Sequence, residues 1–265
     1  MGINWSSAYE AGQASKTAAA AAPVATTATP TAAAPATTTT ASSLVNDVTT
    51  AIESGVESLF DEVVGASNSR TSFGSASCST GSAGDSYVGN YGVPYGSNII
   101  KVGSTSGYDF TATFINTQSS SITVNCWNKV GSDLQPLSGS ALAPKDTSLT
   151  FALPAGSSQI VAFMENSQVG CAQACSETTE SGAFAITWLE ANFLAAGSGY
   201  DVSAIMNAGG NNYDMSITST EAPDCISDMT QNMWLTATDP VGSSDGSCFI
   251  AQSTATLTVK LGGTV

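Results

Sequence analysis

Between residues 97 and 261 the chain repeats one pattern: short apolar runs in which bulky residues alternate with Ser and Thr, divided by clusters of Gly, Ser, Asn and Pro. The runs are SNIIKV (97–102), YDFTATFINT (108–117), SSITVNCWNKV (120–130), TSLTFALP (147–154), SQIVAFME (158–165), AFAITWLE (183–190), YDMSITST (213–220), MWLTATD (233–239) and TATLTVKL (254–261). A period of two is the mark of a half-buried strand. Strands this short and this frequent predict an all-β sandwich rather than βαβ units. The expected domain covers 75–265 and is large enough to bury a real core.

The pattern upstream is different. In SLVNDVTTAIESGVESLFDEVV, residues Leu44, Val45, Val48, Ile52, Val56, Leu59, Phe60 and Val63 recur at steps of three and four. That predicts one amphipathic helix over 43–65, capped by Ser43 and ended by Gly65. Residues 17–42 are Ala, Thr and Pro without bulky apolar side chains, so a disordered linker or O-glycosylated stalk is expected there. Residues 1–16 form a short N-terminal segment with the chain's one N-glycosylation sequon, Asn4-Trp5-Ser6. The start lacks the basic and apolar stretches of a secretory leader, so secretion would require a leader already removed.

Charge narrows the choice of partner. The chain has 21 Asp and Glu against 6 Lys and Arg, a net charge of −15. The basic residues are scattered, so nucleic acid and anionic membranes are poor partners and a neutral polysaccharide fits better. Histidine is absent, which excludes a Ser-His-Asp hydrolase and His-ligated metal. No cofactor and no metal site is expected, and the expected state is a monomer. Cys78, Cys126, Cys171, Cys175, Cys225 and Cys248 contain no CxxC pair. An even set of this kind reads as three disulfides in an oxidising, extracellular compartment, in one of 15 possible pairings.

Candidate chemistry lies in ITWLEANFLAAGSGYDVSAIM (186–206), where Glu190 and Asp201 stand among uncharged neighbours beside Trp188 and Tyr200. On a strand, Ile186, Trp188 and Glu190 share a face. If that face is a cleft, the Trp stacks on a sugar and the carboxylates bond its hydroxyls, or act as the acid and nucleophile of a glycosidase. If it is core, Glu190 needs a partner, because an isolated buried charge is costly. All three readings stay open at this point. Tyr87, Tyr91 and Tyr95, four apart in YVGNYGVPYGSN, form either a sugar-contacting strip, with Tyr91 and Tyr95 the candidate ligand residues, or a packed loop.

The stretches SYVGNYGVPYGSNIIKV (86–102), VNCWNKVG (124–131), SQIVAFMENSQVG (158–170), SGAFAITWLEANF (181–193) and SGYDVSAI (198–205) resemble the fungal secreted family named after the fourth Aspergillus fumigatus allergen. The resemblance implies a fungal source, secretion and allergen-like character. More distantly, Phe114, Asn116, Val124 and Trp127, then Pro154-Ala155-Gly156, then Thr187–Glu190 and Tyr200–Ser203, resemble the strand order of thaumatin-like proteins. That implies a thaumatin-like β-sandwich whose acidic cleft would use Glu190 and Asp201. A further cleft aspartate of that family falls at Met206, and no arginine follows Arg70. The combined expectation is an extracellular or cell-wall protein that binds β-glucan or a related polysaccharide. A carboxylate glycosidase and an effector that engages a host protein are the alternatives.

Overall fold

The alternating segments pair into two sheets stacked face to face. The structure is a computed structural model and describes residues 70–77, 88–207, 213–235, 244 and 246–262. The stalk of 17–42, the helix of 43–65, Tyr87 and Cys78 lie outside the described residues. The strands are β1 (Ile99–Val102), β2 (Phe110–Asn116), β3 (Ile122–Asn128), β4 (Leu149–Leu153), β5 (Ser158–Phe163), β6 (Ser167–Gln173), β7 (Trp188–Phe193), β8 (Ser198–Ser203), β9 (Met215–Ser219), β10 (Ser227–Asp228), β11 (Met233–Trp234), β12 (Cys248–Ile250) and β13 (Ala255–Leu261). One short helix, α1 (Gly139–Leu142), sits between β3 and β4. Thus the all-β sandwich expected from the pattern is what the chain forms.

The first sheet runs β1-β5-β2-β13-β9-β10 and the second β11-β8-β7-β6-β3-β4, with β12 also paired to β8. In the first sheet β2 and β13 are parallel neighbours and the other pairings are antiparallel. Phe110, Ala112 and Phe114 of β2, Leu257, Val259 and Leu261 of β13, and Met215 and Ile217 of β9 face inward. They meet Val124, Cys126, Leu149, Phe151, Val169, Leu189, Phe193, Tyr200 and Val202 from the second sheet in one continuous core. The ring of Phe193 stacks on Phe163 with centroids 4.6 Å apart.

The two sheets differ on their outer faces. The first leaves Thr113, Thr256, Thr258, Ser216 and Thr218 half-buried and Lys260 exposed, so β9 and β13 alternate cleanly. Every residue of β7 is buried, and so are six of seven in β6. The outer face of the second sheet is covered by Ala143 after α1, by Ala183 and Phe184, and by Ile205, Met206 and Trp234. This cover explains why β6 escaped the strand reading: SQVGCAQ is buried on both sides and has no alternation to show. It also explains the misplaced boundary at 183–190, where 183–187 form the cover and the strand begins at Trp188.

Two disulfides fasten the sandwich. Cys126 and Cys171 are direct cross-strand partners of β3 and β6, with Cα atoms 4.1 Å apart. Cys225–Cys248 ties the loop before β10 to β12 across 23 residues of sequence. Cys175 has no disulfide partner among the described residues and does not bond Cys171. Closing a loop of 23 residues stabilises by about 3 kcal/mol in the chain-entropy account. The paired substitution Cys225→Ser and Cys248→Ser should therefore lower the unfolding free energy by about that amount, read from urea unfolding of the full chain.

Candidate functional site

Register on the outer face of the second sheet decides where the acidic pair sits. Glu190 is the direct antiparallel partner of Asp201, and Gly170 of β6 lies on the other side of Glu190. Trp127 of β3 is in turn opposite Gly170. These four residues form one row across four strands. A neighbouring row contains Gln168, opposite Asn192, with Lys129 joined to it through the hydrogen bond from Lys129 N to Gln168 O (2.9 Å). On the other flank Trp188 is opposite Ser203, which is opposite Trp234.

Gly170 makes this packing possible. A Cβ there would lie 2.6 Å from the Trp127 ring. Without one, the ring lies down across the row and meets Trp188 edge-on, with centroids 5.1 Å apart. Trp127 Nε1 donates to Ser140 Oγ (3.2 Å), and Trp188 Nε1 donates to the Phe184 carbonyl (3.2 Å). Aromatic rings therefore wall the acidic pair on the side of β3 and of the cover.

The pair is closed off. Glu190 is 0% exposed, Asp201 2% and Lys129 0%. Burial pushes the Glu190 carboxyl well above the usual carboxylate range, repulsion from Asp201 pushes it further, and Lys129 pulls it partly back. Burial also raises Asp201 well above its ordinary value. The Ser203 hydroxyl and Trp234 indole lie near enough to soften these shifts, but neither stands in hydrogen-bonding geometry. Two adjacent buried carboxyls resist double ionisation, and the Lys129 charge offsets part of that cost.

A second buried polar cluster shows what satisfied groups look like in the same fold. Asn98 Nδ2 donates to Asn90 O, Asn128 Oδ1 and Ser167 Oγ at 2.8, 2.7 and 2.9 Å. Asn128 Nδ2 donates to Asn98 Oδ1 and Ser148 Oγ, and Asn90 Oδ1 accepts from the Ser77 and Gly92 amides. That network fixes the loop before β1 to the sandwich. Around Glu190 the opposite holds. Both carboxyl oxygens of Glu190, Oδ1 of Asp201, both amide atoms of Gln168, Ser203 Oγ and Trp234 Nε1 are buried without a hydrogen-bond partner. Buried polar groups are almost always paired, and each exception calls for an explanation such as strain, a catalytic role, or an ordered water or ion.

The other candidates lie elsewhere. Tyr200 is on the opposite face of β8 from Asp201, with its ring in the inter-sheet core. Its hydroxyl donates to the Cys225 carbonyl (2.8 Å), and burial pushes its pKa up to about 12. Tyr91 and Tyr95 pack together in the loop before β1, with centroids 6.0 Å apart, and Tyr95 donates to Val130 O (2.9 Å). Of the four aromatic candidates only Trp188 shares the face of the pair. Met206, at the position of the further thaumatin-like aspartate, is part of the apolar cover. Lys129, Gln168, Ser203 and Trp234 were not singled out from the sequence. Strand parity from Trp127 reaches Lys129, but Gln168 needed the unrecognised strand β6.

The profile of the Allergen Asp f 4-like domain matches residues 97–261. The chain belongs to this family. Allergen Asp f 4 of Aspergillus fumigatus is 37% identical over 128 residues, 45% of this chain and 38% of that protein's own length. Among solved structures, the protein elicitor MoHrip2 from Magnaporthe oryzae matches with 12% identity and a TM-score of 0.34, covering 57% of this chain and 97% of the other. The thaumatin-like xylanase inhibitor TLXI matches with 12% identity and a TM-score of 0.33 over the same shares. Neither likeness is close enough to carry a function. The family and the disulfides fit an allergen-like extracellular protein.

The raised carboxyls make a testable statement about stability. The folded chain holds a proton more tightly than the unfolded chain, so this contribution is complete below the ordinary carboxylate pKa and is lost as pH rises through the folded values. Asp201→Asn removes the repulsion and leaves Glu190 facing Lys129. It should raise stability at pH 8 by on the order of 1 kcal/mol and change little at pH 4, measured by calorimetry at both values. Gly170→Ala should cost about 1–3 kcal/mol at both, because the added methyl displaces Trp127.

Proposed function

We propose that the protein is an extracellular, cell-wall-associated protein that binds β-glucan or a related polysaccharide without cleaving it. One observation carries the reading: the unpartnered polar atoms around Glu190 and Asp201, set among Trp127, Trp188 and Trp234. Sugar hydroxyls both donate and accept, and sugar rings stack on aromatic faces. The patch offers both kinds of polar group. Gln168 Nε2 and the Trp234 indole donate, the Glu190 and Asp201 carboxyls and Gln168 Oε1 accept, and Ser203 does either. The net charge of −15 disfavours an anionic polymer.

The alternative to binding is hydrolysis by the same two carboxyls. A glycosidase flanks the scissile bond with its acid and its nucleophile or base. Glu190 and Asp201 project side by side from one face of one sheet, and direct cross-strand neighbours have Cβ atoms about 4.5–5.5 Å apart. That spacing is close to the separation of about 5–5.5 Å in retaining enzymes, so the assay for released sugar decides between binding and hydrolysis.

The test is retention of the full chain on insoluble β-1,3-glucan and chitin, with released sugar assayed in the supernatant. Wild type should be retained and release nothing. Gln168→Ala and Asp201→Asn, once shown to be folded, should lose at least about tenfold in affinity, a difference of about 1.4 kcal/mol. Release of sugar that stops in Glu190→Gln would replace the binding reading with the glycosidase one. Absence of retention by folded wild type would remove it.

A further inference from the structure

We propose that residues 177–186 are a lid, and that the face beneath it takes the end of a polysaccharide chain, one or two sugar units long, rather than an internal stretch. The proposal rests on the carbohydrate reading above and adds what kind of ligand the site admits and how it enters.

Closure excludes a chain that runs through. An internal stretch needs a groove open at both ends. Here Glu190, Asp201, Gln168, Ser203, Trp127 and Trp188 are each no more than 2% exposed. The carboxyl and amide atoms extend from Gln168 on β6 across Glu190 on β7 to Asp201 on β8, and the Trp234 indole on β11 closes that end. From Gln168 to Asp201 that is two strand spacings, about 10 Å, which suits a guest of one or two sugar units. Beyond it the aromatic side chains of the cover begin.

The same atoms argue for a hydroxylated guest over an ion. A cation would satisfy the carboxyl oxygens and leave Gln168 Nε2 and the Trp234 indole unmet. It would also sit close to Lys129, whose charge acts on Glu190. Among the described residues no group of three or more His, Cys, Asp or Glu gathers as a metal site. An anion would satisfy the donors and meet two carboxyls.

The parts of the cover are unequally attached. The segment with α1 is fixed to the sheet: Gly139 N donates to Lys129 O (3.0 Å), and Ser140 accepts from Trp127. The approach is so close that a Cβ on Gly139 would fall on the Asn128 carbonyl. Ile205 and Met206 follow directly from β8. Residues 177–186 instead bond mainly to themselves. Thr179 N donates to Ala183 O, Gly182 N to Thr179 O and Ala185 N to Glu177 O, at 2.9, 2.9 and 3.0 Å, around a turn at Gly182 with φ of +93°. Their outer limb, with Glu177, Thr178 and Glu180, is exposed. They meet the sheet through side chains: Ala183, Phe184 and Ile186 pack in the apolar cover, the Phe184 ring lies 6.1 Å from Trp127 between centroids, the Trp188 indole donates to the Phe184 carbonyl, and Asn207 Nδ2 donates to Thr187 Oγ1 (3.0 Å) just beyond. A unit whose backbone bonds are internal and whose attachment is side-chain packing opens as a unit, without unfolding the sheet.

The experiment is hydrogen exchange on the full wild-type chain with and without laminari- and chito-oligosaccharides of two to six units, together with their dissociation constants. The lid predicts that amides of 177–187 exchange several-fold more slowly with sugar bound, and that dissociation constants from two to six units agree within a few-fold. Affinity that climbs steadily with each added unit, or protection confined to other surfaces, would overturn the lid and chain-end inference while leaving carbohydrate binding standing. Failure of both the oligosaccharides and the insoluble polymers to bind would overturn the carbohydrate reading, and the lid with it.

Discussion

Covering both faces of the second sheet is the constraint on which the rest of the structure depends. A sheet with one wet face needs only alternation; a sheet with none must find a place for every outward residue. In β7 that puts Trp188, Glu190 and Asn192 under cover, and in β8 it puts Asp201 and Ser203 there. The aromatic side chains settle by stacking on one another over the space left at Gly170. The carboxyls have no such solution. They sit opposite each other in a dry place, and the nearest compensating charge is Lys129, brought there by the last turn of strand pairing between β3 and β6.

The fold holds two buried polar groups of comparable size and treats them differently. Around Asn98 each amide has a partner, and the chain gains a fixed approach to β1. Around Glu190 the donors and acceptors stand near one another without closing into bonds. Satisfied networks rigidify, whereas unsatisfied ones are costly in a medium of low dielectric. An arrangement of the second kind is tolerated when something outside the chain completes it, and that is the physical basis of the binding reading. Ionisation of the pair follows the same logic, since the guest would supply the hydrogen bonds that water supplies to an exposed carboxylate.

The middle of the first sheet was legible in the sequence because it is wet on one side: FTATFIN and ATLTVKL announce themselves by alternation. The pairing of Glu190 with Asp201 was half legible. Their likeness to the thaumatin-like positions and the parity of Trp188 with Glu190 placed them on one face, but whether that face was open could not be read. The cover is made by residues 183–187, 205–206 and 234, distant in sequence and apolar for ordinary reasons. Tyr200 shows the limit of proximity in sequence: one residue from Asp201, it points to the other side of the sheet. Gln168 was hidden because a strand of Ser, Gln, Gly, Cys and Ala has neither period nor propensity.

Met206 links the covered site to its proposed specificity. A carboxylate at that position would draw water over the pair and hold a cleft open, as the resemblance implied. A methionine does the reverse. It joins Ile205, Phe184 and Trp234 in an apolar layer, and its flexible thioether fills an irregular gap without fixing its neighbours. Such a layer is cohesive when closed and can repack when one member, the Phe184 ring, leaves. The methionine at 206 and the apolar cover over the pair are therefore one feature seen twice. The two carboxyls to which the proposal assigns a sugar are thus reached only through an apolar layer, and that is why the proposed guest is a chain end.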